Sequence, residues 1–337
     1  MTRICSSFCS GIIRLSRPTA VWFWCKEQPL VNSTRTFILF LIFCLFLAAP
    51  GHAERYRLIT GNEAIVGQPT IVSTRDEDTF LDLARKFDLG FQELVLANPA
   101  VDPWLPGQGT QIILPTQYIL PVRNREGIVL NLAEMRLYYF PESSDGTRDH
   151  VYTYPISVGR QGWDTPQTRT RVVRKMKDPT WYPPESIRKE QEQLGRVLEE
   201  SVPPGPDNPL GKHALYMALP GYVIHGTNEP RGIGMKVTHG CIRLHPDDIE
   251  DLFNRVPLNT PVTIVNQPHK VAWHQGKLYA EMHPDDGGLV GLNDLTQFVR
   301  AVIDVTQSSQ DYTVDWDLVS RLAEHRSGLP SVVGERQ

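Results

Sequence analysis

Between residues 127 and 265 the chain divides into short stretches of alternating apolar and polar residues separated by turns, and this patterning restricts the fold more than any other feature. Residues 127–141 read as a hairpin, with Ile128-Val129-Leu130-Asn131-Leu132 and Arg136-Leu137-Tyr138-Tyr139-Phe140 as arms and Ala133-Glu134-Met135 as the turn. Residues 151–158 read as another strand, 159–170 as a loop, and Val172-Val173 as the start of a further strand; Tyr222-Val223-Ile224 is a short strand ending at His225, and 260–265 is a closing one. No strand–helix alternation of the kind a doubly wound sheet needs is present, so the expected class is mainly β. Residues 185–194 are polar and helix-prone, which reads as a solvated excursion, and residues 202–211, dense in Pro and Gly, read as a long loop next to them. Pro246 suits the first position of a helix, with Asp247 and Asp248 at the positive end of its dipole.

The two ends of the chain differ from this middle. Residues 37–49 are uncharged and mostly apolar, preceded by Arg35 and followed by Gly51-His52-Ala53, the layout of an export signal cut after Ala53. The run is too short to span a bilayer comfortably, and residues 1–53 are set aside as a leader. That leader holds five basic residues against Glu27, a net of +4, so the chain's −4 becomes −8 beyond it. An acidic protein without a basic stripe is a poor match for phosphate backbones, so no nucleic-acid partner is expected. From residue 70 to 117 lies a compact unit. Phe80, Leu81, Leu83, Ala84 and Phe87 recur at helical spacing behind Asp78 or Thr79 as a cap, residues 91–97 repeat the period, Asn98-Pro99 stops it, and Gln111-Ile112-Ile113-Leu114-Pro115 reads as a strand. Residues 267–337 hold an amphipathic segment around 295–303, carry no motif tied to chemistry, and are expected to be loose over the last dozen.

Four of the five cysteines (Cys5, Cys9, Cys25, Cys44) lie in the leader, which leaves Cys241 without a disulfide partner. A lone Cys in an exported protein is a buried hydrophobe, a redox liability or a nucleophile; redox exchange lacks a resolving Cys, and the nearby His225 and His239 favour the nucleophile. A neighbouring imidazole is expected to lower the thiol's pKa. On an extended segment His239 and Cys241 would point the same way, Gly240 would admit backbone or substrate, and N–H groups near Gly240-Cys241 could hold an oxyanion. His225, at a strand end, could face the thiol from another strand. A zinc set drawn from His213, His225, His239, Cys241 and His245 fits no familiar spacing, so no metal and no cofactor is expected.

Two resemblances follow from these residues. Asp78-Thr79, Leu83-Ala84, Phe87, Leu94, Asn98-Pro99, Gly107 and Ile113-Leu114-Pro115 resemble a LysM module, which implies a βααβ fold that recognises N-acetylglucosamine in peptidoglycan; Glu77 stands where glycine is usual. His225-Gly226-Thr227 and Thr238-His239-Gly240-Cys241-Ile242-Arg243 resemble the signature of the L,D-transpeptidases with a YkuD-type catalytic domain, supported by Asn131-Leu132-Ala133-Glu134-Met135-Arg136-Leu137-Tyr138, Thr165-Pro166 and Pro179-Thr180-Trp181. That resemblance implies a mixed β-sandwich over residues 124–266 and a periplasmic enzyme of Gram-negative type. Cys241 would attack the carbonyl of the third residue, usually meso-diaminopimelate, of a tetrapeptide stem, release D-alanine and pass the acyl group to an amine of a second stem in a 3-3 cross-link. Alternative acceptors are a lysine of an outer-membrane lipoprotein, or water. By the same resemblance His225 is the base, Gly226 orients it, His239 and Gly240 shape the oxyanion site, Thr227 and Thr238 border the substrate, and Arg243 contacts a substrate carboxylate. A rival reading from another class is a peptidoglycan-binding module with an idle thiol.

Overall fold

The computed structural model describes residues 54–59, 63–121, 125–284, 292–307 and 311–337, and the expected export signal lies outside them. In chain order the strands β1 (Glu54–Arg57), β2 (Ile65–Gly67) and β3 (Thr70–Ser73) precede helices α1 (Phe80–Lys86) and α2 (Phe91–Ala97) and strands β4 (Gln111–Leu114) and β5 (Gln117–Ile119). The middle comprises β6 (Gly127–Asn131), β7 (Arg136–Phe140), β8 (His150–Pro155), β9 (Val158–Gly159), β10 (Thr168–Lys177), α3 (Glu185–Gln193), β11 (His213–Met217), β12 (Val223–His225), β13 (Lys236–Thr238), β14 (Ile242–Arg243), α4 (Pro246–Arg255) and β15 (Pro261–Val265). The C-terminal part holds β16 (His269–His274), β17 (Lys277–Met282), α5 (Leu292–Thr306), β18 (Tyr312–Val314), α6 (Trp316–His325) and β19 (Ser331–Arg336).

Nine strands form one mixed sheet in the order β1-β8-β7-β6-β15-β10-β11-β12-β14. The strand β10 makes the sheet curl. Its first half pairs with β15 and its second with β11, and the register shifts between Val172 and Arg174, where an extra residue bends the strand from one half of the sheet to the other. Residues 168–170, read from the sequence as loop, are thus already paired. The strand at 261–265, the last of the middle part, is not at an edge: it runs parallel to β6 in the centre of the sheet. Inside the curl Ile128, Leu130, Leu137, Tyr154, Val172, Leu215, Ile224, Ile242 and Val262 pack on Ile249 and Leu252 of α4. Each such fully buried side chain contributes about 1.5–3 kcal/mol.

Residues 70–114 fold as two helices between the antiparallel strands β3 and β4, over a core of Phe80, Leu83, Leu89, Leu94, Ile112 and Leu114. Thr79 caps α1, accepting from the Asp82 N–H, and Asp82 answers on the Thr79 N–H. This unit is fastened to the large sheet by charge buried between them. Arg136 of β7 is fully buried, its Nε and Nη2 each 2.8 Å from a Glu93 carboxylate oxygen, its Nη1 2.9 Å from Thr153 Oγ1, and its guanidinium 4.3 Å from the Tyr118 ring centre. The C-terminal part forms a four-stranded sheet, β16-β17-β19-β18, covered by α5 and α6. Its last strand, residues 331–336, contradicts the expected loose end: Val333 is buried, and β19 pairs with both β17 and β18. No helix among the described residues is long and apolar enough to cross a membrane.

Candidate active site

Strands β12 and β14 run parallel with His225 opposite Arg243, and the His225 carbonyl accepts the Leu244 N–H at 2.9 Å. The short link from β13 to β14 carries the thiol. Its shape is set by the Thr238 hydroxyl, which donates to the Cys241 carbonyl at 2.6 Å and accepts the Gly240 N–H at 3.1 Å, while Thr165 Oγ1 donates to the Gly240 carbonyl at 2.8 Å. Gly240 has φ +96°, and a Cβ there would lie 2.9 Å from Tyr222 Cε1, so only glycine fits. This corrects the extended reading of residues 239–241: the turn at Gly240 sends the two side chains to different partners. The Cys241 Sγ lies 3.7 Å from the Gly221 carbonyl, while the His239 ring stands edge-on to Trp163 at 4.7 Å. The Gly240 N–H is engaged by Thr238 and is not the free oxyanion donor the sequence suggested.

His225 is buried, with 3% of its surface exposed. Its Nδ1 lies 2.6 Å from the Gly226 carbonyl, and because a carbonyl only accepts, Nδ1 carries the proton and Nε2 keeps its lone pair. Burial, and next the charge of Arg243, pull the His225 pKa down to about 3. Burial pushes the Cys241 thiol up, opposed by the Val223 N–H and by Arg243. The substrate-free pair is therefore thiol and neutral imidazole, not the thiolate expected near neutrality; here desolvation outweighs the neighbouring positive charge.

His225, Thr238, His239, Cys241 and Arg243 line one cleft of about 370 Å³, together with Trp163, Trp181, Leu210 and Tyr222. Arg243 presents a buried Nε without a hydrogen-bond partner among the described residues. Gly226 and Thr227 are not among the residues that line the cleft: the Gly226 N–H donates to the His213 carbonyl at 3.1 Å, and the Thr227 hydroxyl accepts the Glu229 N–H at 2.9 Å. His213 packs against Phe253 and His245 precedes α4, so among the described residues these two do not join His225, His239 and Cys241 in one donor cluster. Sequence reasoning missed the cleft's other side. The stretch read as a solvated excursion, residues 185–194, supplies Ser186, Ile187 and Gln191 to the cleft, and Pro184 and Leu198 join them from just outside it. From it Glu190 bridges Arg160 and His239, with 2.6 Å between Glu190 Oε2 and His239 Nε2; that bond, then Arg160, lowers the Glu190 pKa despite its desolvation. The signal was present as Ile187, Glu190 and Gln191, which share a helical face in an otherwise polar run.

The profile of the YkuD family, the L,D-transpeptidase catalytic domain, matches residues 125–264. The probable L,D-transpeptidase YcfS of Escherichia coli K12 is 38% identical over 86% of this chain and 92% of its own length. The probable L,D-transpeptidase ErfK/SrfK of the same organism is 41% identical over 74% of this chain and 80% of its own. Among solved structures, the catalytic domain of the E. faecium L,D-transpeptidase aligns with 43% of this chain and 100% of its own at 20% identity, with a TM-score of 0.32. The sequence relatives, alike over most of their lengths, decide the matter: the chain belongs to the L,D-transpeptidase family and is an enzyme of that type.

Proposed function

We propose that the enzyme is a periplasmic peptidoglycan L,D-transpeptidase that joins stem peptides by 3-3 cross-links, with Cys241 as nucleophile and His225 as base. The observation that carries this reading is that Cys241 and His225 line one cleft while the Gly226 carbonyl fixes the His225 tautomer with Nε2 as acceptor. As the sulfur bonds to the carbonyl carbon of the third stem residue, the thiol proton passes to His225 Nε2 and the carbonyl electrons move to oxygen. On collapse the C–N bond to D-alanine breaks, its nitrogen takes the proton, and a thioester remains. The amine of a second stem then attacks the thioester, the C–S bond breaks, and the thiol is restored. Proton transfer in the free enzyme is unfavourable, so binding and the developing charge must drive it; Arg243 favours the thiolate but opposes the imidazolium. With the Gly240 N–H engaged by Thr238 and His239 Nε2 by Glu190, the Cys241 amide is the group assigned to the oxyanion.

The βααβ unit over residues 70–117 supports a LysM assignment and a grip on glycan near the cleft. The export signal read in the leader supports the periplasm. The test is direct. Purified full chain mixed with a tetrapeptide stem should release D-alanine and gain the mass of the tripeptide acyl group at Cys241, and Cys241→Ala should not. Muropeptides from cells lacking their own such enzymes should gain 3-3 dimers when this protein is expressed. Absence of both acylation and dimers would refute the reading.

A further inference from the structure

Helix α3 holds no fully buried residue, and its apolar contact with the cleft is the half-buried Ile187. Its polar attachment is Glu190, whose two carboxylate oxygens rest on Arg160 Nη2 and His239 Nε2; the Lys189–Glu185 pair is internal to the helix. Both partners are anchored independently of α3. The Arg160 amide donates to the Thr238 carbonyl at 3.0 Å. His239 is braced by Trp163, which also lines the cleft. Two donors that remain behind when α3 lifts, side by side at the rim of an acylation cleft, are a ready site for a carboxylate. The helix residues next to Glu190 are the ones that cover the cleft, Ile187 and Gln191. Lifting α3 would leave these donors without a counter-charge unless another carboxylate replaced the one withdrawn.

Resting on the proposed reaction, whose stem peptide carries free carboxylates on its third and fourth residues, we propose that Arg160 and His239 form a carboxylate subsite. Glu190 occupies it in the substrate-free enzyme, and a substrate carboxylate takes it over as α3 lifts from the cleft. Exchanging one carboxylate for another keeps both donors satisfied, so the opening favours acidic stems over neutral ones. An uncharged substrate would have to open α3 without that compensation.

The experiment titrates a soluble tetrapeptide stem, and the same peptide with its carboxylates amidated, into the full chain carrying Cys241→Ala, by calorimetry. Adding Glu190→Gln removes the bond that closes α3 and should tighten binding of both forms about twofold to fivefold, the upper range of one partly exposed ion pair. Arg160→Ala removes one donor from Glu190 and from the substrate carboxylate alike, so it should tighten the amidated form, which opens α3 uncompensated, by a similar factor and leave the acid form nearly unchanged. A second measurement needs neither substitution: at equal, sub-saturating concentration the acid peptide should raise amide hydrogen exchange across residues 185–193 more than the amidated one. The subsite is refuted if Glu190→Gln weakens or leaves unaltered the acid form, if Arg160→Ala affects both forms alike, or if the acid peptide protects residues 185–193. None of these readouts involves acylation. Failure of the proposed reaction shows separately, in the mass spectrum of the wild type.

Discussion

Around Cys241 three influences compete: burial raises the thiol pKa, and the Val223 N–H and Arg243 oppose it with less effect. Iodoacetamide modification followed against pH should therefore give an apparent pKa above the free-thiol value of about 8.5. Arg243→Gln should move it higher still, because the charge favouring the thiolate is gone. His225 is neutral and not among the groups that shift the thiol, so His225→Ala should leave the alkylation profile nearly in place. The same variant should slow acylation by a stem peptide by about a hundredfold to ten-thousandfold, the usual contribution of a positioned base. A profile that shifts strongly in His225→Ala would show that the imidazole already holds the thiol proton in the free enzyme. A carbapenem, with its strained carbonyl, should add to Cys241 and be visible in the intact mass.

The helices α1 and α2 are docked on the catalytic body by several specific contacts. Besides Arg136–Glu93, Arg85 pairs with Asp247, the Gln92 N–H reaches the Gly234 carbonyl at 3.2 Å, and a Cβ on Gly234 would lie 2.3 Å from Gly90 Cα. Deleting residues 70–117 would leave the Arg136 guanidinium without its carboxylate, so the unit is not a detachable tether, and glycan binding is better probed by substitutions on its exposed loops. Where α1 ends, Asp88 lies buried against Asp248 of α4, and burial first, then their mutual charge, raises the Asp248 pKa; burial raises that of Asp88 to about 6. An acid whose folded pKa exceeds its unfolded value adds stability below the unfolded pKa of about 3.9, which is lost as pH rises through about 6. Asp88→Asn should therefore raise stability near pH 7.5 by on the order of 2–3 kcal/mol and give no gain near pH 4, as measured by denaturant midpoints. Asn also tolerates the φ of +52° at this position. An equal gain at both pH values would place the effect outside the carboxyl pair.

At the scale of the whole molecule, residues 54–337 are one compact unit in which buried charges join three parts. Lys270 of β16 is 2% exposed and pairs with Glu134, in the turn between β6 and β7, and at 2.8 Å with Glu281 of β17; it also donates to the Ile119 carbonyl. Lys270→Met should lower unfolding free energy by about 3–5 kcal/mol, since it strands two buried carboxylates; chemical denaturation at pH 7.5 measures this. A chain ended after residue 266 should show the same loss and aggregate. Three buried histidines give the molecule an acid limit. His213, His225 and His245 all have pKa values lowered first by burial, the last two to about 3 and about 4. A base whose folded pKa is depressed adds stability above its unfolded value of about 6.5, lost as pH falls toward the folded one. Melting temperatures should fall from pH 6.5 downward, more steeply in Asp88→Asn, where the opposing carboxyl is removed.

The elements legible in the sequence were those with local causes. The hairpin at 127–140 has its alternation and its turn, α1 has Thr79 and Asp82 within three residues, and α4 has Pro246 at its start. The thiol and its histidines were legible because their types are uncommon together and their spacing is short. Long-range pairing decided the rest. Residues 331–336 have little burial pattern of their own and become a strand because β17 and β18 offer open edges on both sides. The polar run at 185–193 lies on the active site because Arg160 and His239, some 30 and 49 residues away, meet Glu190 there. The direction of the Cys241 shift depended on desolvation, and burial is a property of the assembled sheet rather than of residues 238–243. Side-chain chemistry and local spacing are carried by the chain itself, whereas partners far apart in sequence and the exclusion of water exist only once the chain has closed on itself.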